Sequence, residues 1–200
     1  MTDKIKAIVL AAGYSSRMAS MKALLPLGET NVLERVVATF RQAGISDIRV
    51  VTGYRRELLL PLLQKLALRE IYNPYYAEGM FSSVQSGVSS LEPESEAFFI
   101  MPVDIPLLKA ATLQTLLEHF DHKQAEIFHP CYQGQRGHPP LLAYSMRQRI
   151  LQWEGAGGLK GLLRQHEDKS INIAVPDSAI LLDMDTAEQY QHLLTLDVKE

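Results

Sequence analysis

Two stretches, IKAIVLAA from Ile5 and AFFIMPV from Ala97, are apolar at almost every position. They constrain the fold more than any other feature of the chain. A strand with one wet face alternates apolar and polar residues, whereas a continuous run suits a strand covered on both faces, as in parallel sheets. Strand-like runs at Lys6–Ala11, Ile48–Thr52, Glu70–Tyr72 and Ala97–Pro102 are each followed by apolar residues at helical spacing. Between the first two, Val32, Leu33, Val36, Val37 and Phe40 recur every three or four residues, and Gly44 supplies a helix stop. This βαβα order predicts an α/β chain, a Rossmann-like three-layer sandwich with a mostly parallel sheet. After Pro106 the pattern is less regular. It predicts helices near Thr112–Phe120, Leu159–Gln165 and Ala187–Leu194, with extended pieces near Ile127–Pro130 and Pro140–Ala143. No linker or repeat divides the 200 residues, so one domain spanning 1–200 is expected.

A formal charge of −3 offers no basic face to a polyanion, which argues against nucleic acid as a partner. No apolar run approaches the ~20 residues that span a bilayer, and the opening Met-Thr-Asp-Lys does not read as a signal peptide. No membrane association and a cytoplasmic location are the expectation. Cys131, the single cysteine, has no partner for an internal disulfide and reads as an inert thiol.

In open parallel sheets ligands bind beyond the carboxyl ends of the strands, where LAAGYSSRMASMK, Leu10 to Lys22, follows the first run. Gly13 admits a close backbone approach, Ser15 and Ser16 offer hydroxyls, and Arg17 and Lys22 offer positive charge, a set suited to phosphate. The alternative is a solvated surface loop. The glycine spacing is neither GxGxxG nor GxxxxGK[ST], which excludes the two common phosphate loops. In NPYYAEGMFSSVQSG, Asn73-Pro74 ends a strand, Gly79 frees the backbone, and Ser82 and Ser83 are read as opening a helix whose positive end favours an anion. An ordinary capped helix would look the same. Tyr75, Tyr76 and Phe81 either stack a base or fill core.

Asp104, at the end of the Ala97–Val103 run, suits Mg²⁺, which takes one or two carboxylates together with phosphate oxygens and water; its alternative is a helix N-cap. A second acid is expected from LLDMDT, where Asp183 and Asp185 are two apart and spacing does not choose between them. His138, held between Gly137 and Pro139-Pro140, either contacts a second substrate or bonds to backbone. His129 and Cys131 lack partners at a ligand spacing and are not read as a metal site.

LAAGYSSRMASMK resembles the LAAGxSxRMGxxK signature of nucleotidyltransferases related to molybdopterin guanylyltransferases, and most closely the molybdenum cofactor cytidylyltransferases. NPYYAEGMFSSVQSG, PVDIPLL at Pro102–Leu108, GQRGHPPLL at Gly134–Leu142 and LLDMDTAEQY resemble further segments of that family, in order along the chain. Ala19 stands where the family has glycine. The resemblance implies a nucleotide-diphospho-sugar-transferase-like fold and transfer of CMP from CTP to the phosphate of a molybdopterin-type cofactor, with release of pyrophosphate. It implies a nucleotide site at Leu10, Ala11, Ala12, Gly13, Ser15, Arg17, Lys22, Gly79, Ser82 and Ser83, catalysis by Arg17, Lys22 and Asp104, and Mg²⁺ on Asp104 and Asp185, the latter favoured by its Asp-Thr pairing. His138 is the expected acceptor contact, and a molybdoenzyme is a candidate recipient of the product. The chemistry agrees: displacement at the α-phosphorus loads charge onto pyrophosphate, so cations must be aimed there, Arg17 at the β and γ phosphates and Lys22 at the α. Open alternatives are another nucleotide or phosphorylated acceptor, and a carrier of the cofactor without turnover.

Overall fold

The computed structural model describes residues 2–14, 20–122 and 125–197. In chain order the strands and helices are β1 (Ile5–Leu10), β2 (Pro26–Leu27), β3 (Thr30–Asn31), α1 (Val32–Gln42), β4 (Asp47–Thr52), α2 (Leu60–Lys65), β5 (Arg69–Tyr72) and α3 (Met80–Ser89). They continue with β6 (Ala97–Pro102), α4 (Ala110–Asp121), β7 (Ile127–Tyr132), β8 (Gln135–Arg136), β9 (Leu141–Ala143), α5 (Met146–Leu151), α6 (Gly158–Gln165), β10 (Ser170–Ala174) and α7 (Ala187–Asp197). One eight-stranded sheet runs β10-β7-β9-β6-β1-β4-β5, with β8 on β7, while β2 and β3 form a separate ribbon.

Alternation along β1 explains its continuous apolar sequence. Ala7 and Val9 enter a core shared with α1, α2 and α4 through Phe40, Leu63 and Leu116. Ile8 and Leu10 enter a second core, on the other face, with Val84 and Val88 of α3, Met146 of α5 and Leu162 of α6. The result is the three-layer sandwich anticipated from the sequence. Burying a Val, Leu or Phe side chain stabilises by roughly 1.5–3 kcal/mol, and β1 contributes to both layers at once.

Helix α1 shows how local sequence sets the boundaries. Asn31 accepts from the Glu34 amide while the Glu34 side chain accepts from the Asn31 amide, a reciprocal cap at the start. At the end Gly44, at φ 86°, lets its own amide and that of Ile45 turn back to the carbonyls of Arg41 and Phe40. The left-handed backbone there is where a side chain would be strained.

Parallel pairing of β1 with β4, and of β4 with β5, carries the chain outward on one side. It then returns through α3, on the opposite face, to place β6 on the other side of β1. The sheet therefore reverses direction beside β1, and the carboxyl ends of β1 and β6 open the crevice where such folds bind ligands. Beyond β6 the sequence reading is corrected in detail. Strand β9 pairs antiparallel with both β6 and β7, the strand begun at Ile127 runs on to Tyr132, and β10 and α5 were not anticipated.

Candidate active site

The Val103 amide donates to the Leu10 carbonyl (3.1 Å) and the Tyr54 amide to that of Ala12 (3.1 Å), so the ends of β1, β4 and β6 are stitched together. They enclose a cavity of about 420 Å³ lined by Leu10–Gly13, Lys22, Gly79, Ser83, Asp104 and Asp185, among others. Among the described residues, chain neighbours aside, a Cβ added at Gly13 or Gly79 would meet nothing within 4 Å. Gly79 also holds φ 105°, which only glycine adopts without strain.

Inside this cavity Lys22 Nζ donates to Asp104 Oδ2 (2.8 Å) and to Asp185 Oδ1 (2.6 Å). Burial pulls the ammonium toward neutrality, but the hydrogen bonds and charges of the two carboxylates outweigh it and hold its pKa above the ordinary lysine value. Lys22 is thus a fixed cation at neutral pH. Residues 22, 104 and 185, from three distant parts of the chain, meet at one point.

What aims Asp185 is a hydrogen-bond cluster that sequence reasoning missed. The Met184 amide donates to the Asp104 carbonyl (3.0 Å), with Met184 fully buried, so the segment is tied to the end of β6. Gln189 Oε1 accepts from the Asp185 amide (2.7 Å) and the Thr186 amide (2.8 Å), while its Nε2 donates to Asp183 Oδ1 (3.1 Å). Thr186 Oγ1 accepts in turn from the Gln189 amide, completing a reciprocal cap on α7. Asp183 therefore supports Gln189, and Asp185 reaches Lys22. The signal available in the sequence was T-x-x-Q at Thr186–Gln189.

The sequence reading of Ser82 and Ser83 is corrected. Helix α3 begins at Met80 with Gly79 before it, so neither serine caps it. Asn73 Nδ2 instead donates to Ser82 Oγ (2.9 Å) and Ser83 Oγ (3.0 Å), and Ser82 donates to the carbonyls of Tyr75 and Gly79. They hold the shape of the Gly79 loop, and of the two only Ser83 lines the cavity. Tyr76 lines it as well, in ring contact with Tyr14 at 5.5 Å, while Tyr14 meets Tyr54 at 4.9 Å. Gly53 makes this possible: a Cβ there would stand 2.6 Å from Tyr76 Cβ and 2.9 Å from Ala12 Cβ. Ser15, Arg17 and Ala19 lie outside the described residues.

A second cavity of about 580 Å³ adjoins the first, sharing Leu10, Met80 and Pro102 with it. His138 lies here, open to the cavity, beside His129, Arg136 and the ring of Phe81. Burial within the protein lowers the His138 pKa against the opposing pull of Asp104 and Asp183, so its imidazole is neutral at pH 7. Burial drives that of His129 down to about 4.

For His129 the sign is definite. A folded-state pKa below the unfolded value near 6.5 means that the unfolded chain binds the proton first, so stability is lost as pH falls from about 6.5 toward 4. Between pH 7 and pH 4.5 the wild type is expected to lose about 2 kcal/mol more of its unfolding free energy than His129→Leu, as read by urea unfolding. Equal losses in the two proteins would contradict this.

Among the described residues no three His, Cys, Asp or Glu side chains cluster to hold a metal, and no helix is long and apolar enough to cross a membrane. The chain is 28% identical over 187 residues to the molybdenum cofactor cytidylyltransferase of Escherichia coli K12, with 93% of each covered. A crystal structure of the homologue of Mycobacterium tuberculosis Rv0371c from Mycobacterium sp. strain JC1 superposes with a TM-score of 0.84 at 26% identity, covering 100% of this chain and 99% of that one. Rv0371c of M. tuberculosis H37Rv, solved as a manganese complex, gives 0.79 at 24% identity over 96% and 98% of the two chains. Residues 7–170 match the family model described as the MobA-like NTP transferase domain, and the chain belongs to that family of nucleotidyltransferases.

Proposed function

We propose that this nucleotidyltransferase moves CMP from CTP to the phosphate of a molybdopterin-type cofactor, releasing pyrophosphate in an Mg²⁺-dependent reaction. The observation that carries the reading is the meeting of Lys22, Asp104 and Asp185 in a glycine-walled cavity at the reversal point of the sheet. The name of the E. coli relative supports the base and the acceptor, and the manganese complex of Rv0371c supports a divalent cation.

The residues present fit such a cation. Two carboxylates already share one positive charge, and a pair of acids with substrate phosphates is the donor set that Mg²⁺ prefers. Mg²⁺ bound by Asp104 and Asp185 would neutralise triphosphate charge and the charge that gathers on departing pyrophosphate. Lys22 then serves the α-phosphate, lowering repulsion between it and the incoming acceptor phosphate. Arg17, five residues earlier in the sequence, serves the β and γ phosphates. The acceptor needs no general base, because a phosphate is ionised at neutral pH, and this agrees with neutral histidines in the adjoining cavity. The backbone of Leu10–Gly13 and Gly79 lines the cavity proposed for the nucleotide, and His138 lines the adjoining one proposed for the acceptor.

CTP is expected to bind more tightly than GTP. Ala12 and Tyr76 both line the nucleotide cavity, so the Ala12 methyl takes up space that a glycine would leave for a purine. Calorimetric titration checks this, and GTP binding as tight as CTP would contradict it. The function itself is tested by supplying each of the four nucleoside triphosphates with Mg²⁺ and molybdopterin and measuring pyrophosphate. Release with CTP in excess over the others is expected; release with none of them would leave a carrier.

A further inference from the structure

We infer that the second cavity is a pocket for a neutral, nitrogen-bearing planar ring, and that His129 determines its specificity by hydrogen bonding to the ring edge. The inference rests on the proposed function, since the ring would belong to the acceptor whose phosphate faces Lys22.

His129 is 6% exposed, and its buried Nε2 has no hydrogen-bond partner among the described residues. Leaving a buried polar nitrogen unpaired costs about 1–3 kcal/mol, so an orphan of this kind in a native protein asks for a partner. Alternation along β7 explains where that partner would come from. Phe128 enters the core under α4, while Ile127, and with it His129 two residues on, faces the layer of α3, α5 and α6. His129 accordingly lines the cavity. A turn of the ring about its broad χ2 well exchanges an unpaired nitrogen for one bonded to a ligand.

Charge selects the chemical class. Arg136 is already held by Glu167, through Nη1 to Oε2 at 2.9 Å and a second bond from Nη2, and by Asn172 at 2.6 Å. Both histidines are neutral, and Lys160 and Arg164 line the cavity only as exposed side chains that water screens. The anionic part of the acceptor is served in the first cavity instead. The walls of the second, Phe81, Ile100 and Leu163, suit the faces of a flat ring.

The binding test needs neither nucleotide nor metal. 6-Hydroxymethylpterin, followed by its own fluorescence, is titrated into wild type, His129→Leu and His129→Gln, with melting curves recorded for all three. Wild type is expected to bind, His129→Gln to stay within about threefold, and His129→Leu to weaken at least fivefold, the scale of one buried hydrogen bond. His129→Leu should melt no lower than wild type at pH 7, because it removes an unpartnered polar atom. No pterin binding by wild type, or equal binding by His129→Leu, overturns the inference. Pterin binding without CMP transfer would refute the proposed function alone, while transfer to molybdopterin with an unchanged acceptor KM in His129→Leu would refute the pocket alone.

Discussion

Asp104→Asn is expected to fold normally and to lose at least about a hundredfold in turnover. The fold survives because the substitution keeps the shape of the side chain and the backbone carbonyl that receives the Met184 amide, and its amide oxygen still accepts from Lys22. What disappears is one of the two anions that accept from the Lys22 ammonium. Divalent metal binding should weaken in parallel, read by titrating Mn²⁺ into protein without nucleotide. Asp185→Asn should fall on the same side. Asp183→Asn should be much milder, since asparagine still accepts from Gln189 Nε2 and leaves Asp185 in place. Near-normal turnover of Asp104→Asn with unchanged Mg²⁺ dependence would remove the metal assignment. An Asp183 effect larger than that of Asp185 would reverse only the choice between those two.

Lys22→Met should show an opposite signature. Turnover is expected to drop by about two to three orders of magnitude, the usual scale for losing a charge aimed at a transition state. Metal binding without nucleotide should hold or tighten, because the ammonium that competes for both carboxylates is gone. Lys22→Arg should recover little, as a planar fork does not replace a point charge placed between two acids. The pair of variants separates two roles that a single loss of activity would merge. If Lys22→Met weakens metal binding as much as Asp104→Asn does, Lys22 is holding the site together rather than serving the phosphate.

The legible parts of the chain were those where local pattern and tertiary role agree. Strands β1 and β6 are buried on both faces and read as unbroken apolar runs, and α1 carries its cap and stop in the residues themselves. The illegible parts depend on distant partners. Strand β10, SINIA, has only Ile173 buried, and is a strand because β7 pairs with it. Strand β9 is three residues long and takes its direction from the two strands it fits between. Gly79, at φ 105°, moved the start of α3 ahead of the serines, so a serine pair that looked like a cap became a latch for Asn73. Spacing could not separate Asp183 from Asp185 because both stand the same distance from any alternation. The Met184 amide on Asp104 and the Gln189 amide group separate them.

Whether this cavity catalyses nucleotidyl transfer rather than storing or hydrolysing a nucleotide is decided by following CTP labelled at the α-phosphate in the presence of Mg²⁺ and molybdopterin. Nucleotidyl transfer puts the label in a cytosine dinucleotide of the pterin, formed in step with pyrophosphate and abolished when the acceptor is omitted. Label remaining in CTP, or passing to free CMP at the same rate with and without acceptor, would contradict it.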